Sequence, residues 1–114
     1  MRRTFEPFWW ALFGAGGMVA ALVLPVHVLY GLAVALGWAE APSYEGLLAL
    51  VRHPLARLYL FGVIALSLLH AAHRLRFALY EGLQLKHLNQ LIALLCYGGA
   101  IAGALLAAYT LVRV

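Results

Sequence analysis

The stretch "PFWWALFGAGGMVAALVLPVHVLYGLAVALGWA", Pro7 to Ala39, decides the fold, because it holds no Asp, Glu, Lys or Arg. A helix needs roughly 20 apolar residues to cross a hydrocarbon core of about 30 Å, and this run is longer than that. Two more runs follow it. Leu58 to His73 is equally free of those residues, with apolar character persisting on one side to about Leu83, and Leu88 to Val112 is the third. Lipid offers no water to backbone N–H and C=O groups, so a spanning segment must satisfy them internally, and strands of about ten alternating residues are absent. The expected fold is an all-α membrane protein with three transmembrane helices. Helix 1 covers about 7–36, an interfacial connector about 37–53, helix 2 about 54–82 and helix 3 about 88–112.

Composition agrees. The 114 residues are 66% hydrophobic and 11% charged, with a mean hydropathy of +0.93, whereas a soluble domain carries about 25% charged residues. No stretch is left over for a soluble domain. The net charge of +4 does not point to nucleic acid, because the basic residues sit at helix ends, where they act as topology signals and headgroup anchors. Cys96 stands alone and forms no internal disulfide. The start "MRRTF" resembles a twin-arginine leader, but the apolar run is far longer than the 7–15 residues of a signal core, so helix 1 is expected to be retained.

Punctuation supports these spans. Pro7 suits a first turn, where its missing N–H is not needed; Pro25 predicts a kink; Gly37 is a natural stop. Trp38 and Tyr44 are ring types that collect at the membrane–water boundary, and Ser43 is placed to cap a short surface helix over "YEGLLALV". Arg2, Arg3, Arg74, Arg76 and Lys86 fall on one side of the membrane and Arg52, Arg57 and Arg113 on the other. That excess predicts a cytoplasmic N-terminus and a periplasmic C-terminus. Small-residue rows, Gly99–Gly103–Ala107 and Ala100–Ala104–Ala108, suit close packing against neighbouring helices.

One stretch interrupts the apolar logic: "LLHAAHRLRFALYEGL", Leu68 to Leu83. At 100° per residue His70, His73, Arg74 and Phe77 share a face, while Arg76 points roughly the other way and is expected to snorkel to the headgroups. Ionisable groups within a membrane cost several kcal/mol unless paired or hydrated, which marks the shared face as functional. With Trp10 at similar depth, it suits the polar head of an amphiphile such as a quinone. Alternatives stand beside this. A metal pair at His70 and His73 lacks an acidic partner; a haem would draw one histidine from each of two helices, with His27 the only other deep one; a plain helix end rich in anchors is the bland reading. No phosphate-binding loop, nucleophile–base set or cysteine cluster is present. The residues alone stop at a three-helix membrane subunit, with a polar pocket near the cytoplasmic face as one of these open readings.

Three segments add a resemblance. "EPFWWALFGAGGM" (Glu6 to Met18), "SYEGLLAL" after helix 1 and "HRLRFALYEGL" at the end of helix 2 resemble the D subunit family of bacterial quinol:fumarate reductase. The resemblance implies a hydrophobic anchor in the bacterial cytoplasmic (inner) membrane, beside a second hydrophobic anchor, the C subunit. Together they would hold a flavoprotein and an iron–sulfur protein at the cytoplasmic face. Menaquinol would be oxidised near the iron–sulfur protein and fumarate reduced at the flavin. It further implies that Trp10 lines the quinone pocket, that His73 and Arg74 occupy the matching helix 2 positions, and that Gly14 and Gly17 permit close approach of a helix or the quinone ring. The chain would then supply no catalytic residue, no metal ligand and no redox centre, and haem is not expected. Where further histidines follow the His–Arg pair in the family, this chain has Arg76 and Phe77. Two other classes remain as alternatives: a haem-carrying cytochrome anchor of a succinate:quinone oxidoreductase, and a small oligomeric transporter, which would want a charged residue in mid-span.

Overall fold

The computed structural model describes residues 6–114, apart from the side chain of Glu6; Arg2 and Arg3, on which the predicted orientation partly rests, lie outside the described residues. Helix α1 runs over Glu6–Leu22 and α2 over Leu24–Ala35. After a bend comes the short α3, Tyr44–Arg52, then α4, Pro54–Phe77, and finally α5, Asn89–Arg113. Three stretches are long and apolar enough to cross a membrane: Pro7–Ala35, Pro54–Gly82 and Lys86–Arg113. The architecture is therefore all-helical with three spans.

The first span is two helices rather than one kinked rod. Pro25 has no N–H, so the carbonyl of Ala21 loses its helical partner, and the proline ring crowds the same carbonyl. The chain responds two residues earlier, at Val23. Its N–H still bonds the Val19 carbonyl at 2.8 Å, while its own carbonyl accepts from Val26 in a tighter turn at 3.2 Å. Gly37 ends α2 in the left-handed region, φ +77°. Gly37 and Trp38 donate back to the carbonyls of Val34 and Ala33 at 3.1 and 2.8 Å, a glycine-dependent helix stop. At α3 the Ser43 hydroxyl accepts from the Gly46 N–H at 3.1 Å. His53 then caps α4 by accepting from the Leu55 N–H through Nδ1 at 3.2 Å, with Pro54 in the first turn.

Helix α4 lies between α1 and α5 and packs on both. Small residues set its two contacts. Toward α1, Gly16 is buried, and a Cβ built there would lie 2.5 Å from the Leu66 carbonyl oxygen. Toward α5, a Cβ on Gly103 would lie 2.9 Å from Leu68 Cδ1. Among the described residues only Val63, Ala72, Ile92 and Ala100 form a buried apolar core, and large side chains such as Leu29, Leu58, Leu94 and Leu105 face outward. The accessible surface of 8835 Å² exceeds the roughly 6,100 Å² expected of a compact soluble monomer of this mass. The bundle is thus a thin layer of helices whose outer faces belong to lipid or other helices.

Past Phe77 the last turn of the second span widens into a π-helical segment, Ala78–Gly82. Gln84 takes a left-handed φ of 53°, and a 3-10 turn, Lys86–Leu88, starts the third span. Alternating helix direction gathers Arg74, Arg76 and Lys86 at the end that also holds the start of α1, and Arg52, Arg57 and Arg113 at the opposite end.

Candidate functional site

The site forms where the first two turns of α1, the last two turns of α4 and the first half of α5 meet. The 29 residues of the second span extend about 43 Å at 1.5 Å each, against a hydrocarbon core of about 30 Å. His73 stands nine residues before Gly82, about 14 Å along the axis from that end. With the span centred on such a core, His73 would lie several ångströms inside the hydrocarbon edge, where polar groups need partners.

His73 finds them among rings. Phe13 of α1 stacks on it, centroids 4.0 Å apart and planes within 15°. The Phe77 ring meets it edge-on at 4.9 Å, and Trp10 does so at 6.2 Å. On the α5 side, His73 Nδ1 is 3.1 Å from the Tyr97 hydroxyl. Arg76 donates to that same hydroxyl through Nη1 at 3.4 Å and to Asn89 Oδ1 through Nη2 at 3.2 Å. Its guanidinium lies 5.5 Å from the Tyr97 ring centre and 5.6 Å from that of Phe77, where the ring quadrupoles favour a cation. A cleft of about 170 Å³ opens between Trp9, Trp10, Phe13, His73, Arg76 and Tyr97. A second cleft of about 350 Å³ shares Trp9, Phe13, Arg76 and Tyr97 with it and adds Leu69 and Ile101. One end of the cleft is polar and the rest is apolar.

The five candidate residues separate here. His73 and Trp10 line the cleft together. Arg74 does not: it is exposed, and the cation in the cleft is Arg76, contrary to the expectation that Arg76 points away to the headgroups. Arg76 is only about 60° from His73 around the helix, on the side facing α5, whereas Arg74 is about 100° away in the other direction. At this end helix α4 packs on both α1 and α5, and His73 sits between the faces that meet them. Gly17 is a contact point between helices, since a Cβ there would lie 2.8 Å from His70 Cε1. Gly14 has nothing within 4 Å of such an atom. The tightest approach belongs to Gly16, absent from the candidates.

His70 serves the crossing of α1 and α4. Its Nδ1 donates to the Phe13 carbonyl at 3.2 Å, a backbone oxygen that only accepts, and so ties the residue whose ring stacks on His73. His27 lies at the other end of the bundle, with Nε2 2.7 Å from the Tyr59 hydroxyl. Among the described residues no three His, Cys, Asp or Glu side chains gather around one point. Arg76, Tyr97, Phe13 and Trp9 complete the cleft, and Asn89 holds Arg76 from outside it. Only the helical offset of Arg76 from His73 and the i,i+4 spacing of Trp9 and Phe13 were signals readable beforehand.

Fold and site together define an integral membrane protein with three spans and a ring-walled polar cleft toward one end. The family model of the fumarate reductase D subunit matches residues 1–112. The fumarate reductase D subunit of Mycobacterium tuberculosis is 52% identical over 111 residues, covering 96% of this chain and 89% of its own. The Mycobacterium bovis protein of that name gives the same values. That of Vibrio parahaemolyticus is 41% identical over 83 residues, 70% of this chain and 66% of its own length. The chain belongs to the fumarate reductase D subunit family and is a membrane-anchor subunit of fumarate reductase.

Proposed function

We propose that this subunit, in the bacterial cytoplasmic membrane with its N-terminus inside, joins a second hydrophobic anchor, the C subunit, to hold the flavoprotein and iron–sulfur subunits at the cytoplasmic face. Its cleft contributes to the menaquinol oxidation site of anaerobic fumarate respiration. The observation that carries this reading is the ring-walled cleft on His73, whose polar edge is built from Tyr97 and Arg76. A quinol is a flat ring with oxygens on its rim and an apolar tail, and the cleft pairs aromatic walls and hydrogen-bonding groups with an apolar extension.

The substrate releases two electrons to the iron–sulfur protein and two protons to acceptors at the site. This chain's residues hold and orient it. Phe13 and Trp10 supply ring faces and edges, each such contact worth about 0.5–1.5 kcal/mol beyond area burial. His73 supplies a hydrogen bond to a ring oxygen. Arg76 supplies a fixed positive charge that favours an oxygen gaining negative character, and in a low-dielectric cleft that interaction outweighs its strength in water. Apolar walls exclude water. Arg74, exposed on the adjoining face, contacts whatever protein or headgroup covers that side.

The test uses the whole complex. His73→Leu is expected to cut quinol-driven fumarate reduction at least tenfold and to leave fumarate reduction by a water-soluble artificial donor unchanged. Equal quinol activity in variant and parent would remove the cleft from the quinol site.

A further inference from the structure

We propose that Tyr97 and Arg76 are positioning residues that fix the tautomer of His73, so that its Nε2–H is the donor offered to the ligand's oxygen. The inference rests on the quinol reading of the cleft and extends it to the direction of each hydrogen bond.

Arg76 is the group with no choice of role. A guanidinium has five N–H donors and no acceptor, so the Arg76 Nη1 contact with Tyr97 at 3.4 Å makes the phenol oxygen an acceptor. The phenol's single hydrogen then turns to its other polar neighbour, His73 Nδ1, at 3.1 Å; left unpaired in an apolar cleft, it would carry a desolvation cost. His73 Nδ1 therefore accepts. A neutral imidazole carries one N–H, which in His73 is on Nε2. Asn89 anchors the start of this chain of bonds by accepting from Arg76 Nη2 at 3.2 Å. Phe13, stacked on His73 at 4.0 Å, opposes a flip of the ring that would carry Nδ1 away from the Tyr97 hydroxyl. The other nearby histidine does not interfere, since His70 gives its Nδ1–H to the Phe13 carbonyl.

Two consequences follow. The cleft selects amphiphiles that present an acceptor oxygen at His73 Nε2, and discriminates against rings of the same shape without one. His73 in this state binds the ligand's oxygen without taking its proton, so the quinol protons leave toward other acceptors at the site.

The experiment is a double-mutant cycle in the intact complex, reading quinol KM and kcat beside artificial-donor fumarate reduction as a measure of correct assembly. Tyr97→Phe keeps the ring and removes one hydrogen bond; it is expected to raise quinol KM about five- to tenfold, and Arg76→Leu to shift it in the same direction. In a His73→Leu background Tyr97→Phe should add less than about twofold, because Tyr97 acts through His73. Tyr97→Phe with unchanged KM and kcat, or with its full effect in the His73→Leu background, would overturn the proposal while leaving the quinol site in place. If His73→Leu alone leaves quinol oxidation unchanged, the quinol reading fails and this inference falls with it.

Discussion

Replacing Gly16 with alanine tests whether the crossing of α1 and α4 builds the cleft. The added Cβ would stand 2.5 Å from the Leu66 carbonyl oxygen and 3.1 Å from His70 Cβ, whereas ordinary contact begins at 3.4 Å. Relief requires 3.4 − 2.5 = 0.9 Å of movement. The obstacle is backbone in the middle of α4, so α1 must move as a body. Overpacking of this kind costs about 1–3 kcal/mol. The displacement also reaches the site. Phe13 lies three residues before Gly16, and its carbonyl accepts from His70 at 3.2 Å; a further 0.9 Å stretches that contact to about 4 Å, beyond hydrogen-bond range. The Phe13 ring then withdraws from His73. Gly16→Ala should lower the thermal midpoint for release of this subunit from the purified complex and raise quinol KM several-fold, with artificial-donor activity intact at low temperature. Gly14→Ala, where nothing lies within 4 Å, is the control and should leave both readings unchanged. Gly16→Ala behaving like Gly14→Ala would refute the packing argument.

Three other outcomes are expected. Arg76→Leu should impair quinol oxidation more than Arg74→Leu, because only Arg76 bonds Tyr97 and Asn89; the reverse order in quinol KM would return the cation of the site to Arg74. His27→Phe removes the bond to Tyr59 at the far end of the bundle, so quinol kinetics should stay unchanged and stability should fall by no more than about 2 kcal/mol. A tagged version of this chain, gently solubilised, should bring down a flavoprotein, an iron–sulfur protein and a second hydrophobic anchor; recovery of a homo-oligomer alone would contradict the subunit arrangement.

The three spans were legible because uninterrupted apolar length is a one-dimensional signal that needs no knowledge of packing. Gly37 and Ser43 were legible for a similar reason: each acts through its own backbone or the next turn. Position in the second dimension, rotation about the helix axis, was harder. Averaging over the face from His70 to Phe77 pointed to Arg74, because no local pattern tells that α4 is packed on two sides and that His73 sits between them. Gly14, Gly16 and Gly17 are chemically alike, and only the rotation of α1 against Leu66 and His70 distinguishes the open position from the two in contact with α4. Tyr97 and Asn89 lay beyond reach altogether. Their role depends on which side of α5 meets α4, and a helix apolar nearly all round carries no stripe from which to read it.

The most direct measurement is photolabelling of the intact, active complex with a photoreactive quinone, followed by peptide mapping. Label on the α1 segment containing Trp9, Trp10 and Phe13 and on the α4 segment containing His73, protected by excess menaquinone, is the predicted result. Protectable label confined to the opposite end, around His27, Tyr59 and Arg57, or confined to the other proteins of the complex, would contradict the assignment of this cleft to the quinol site.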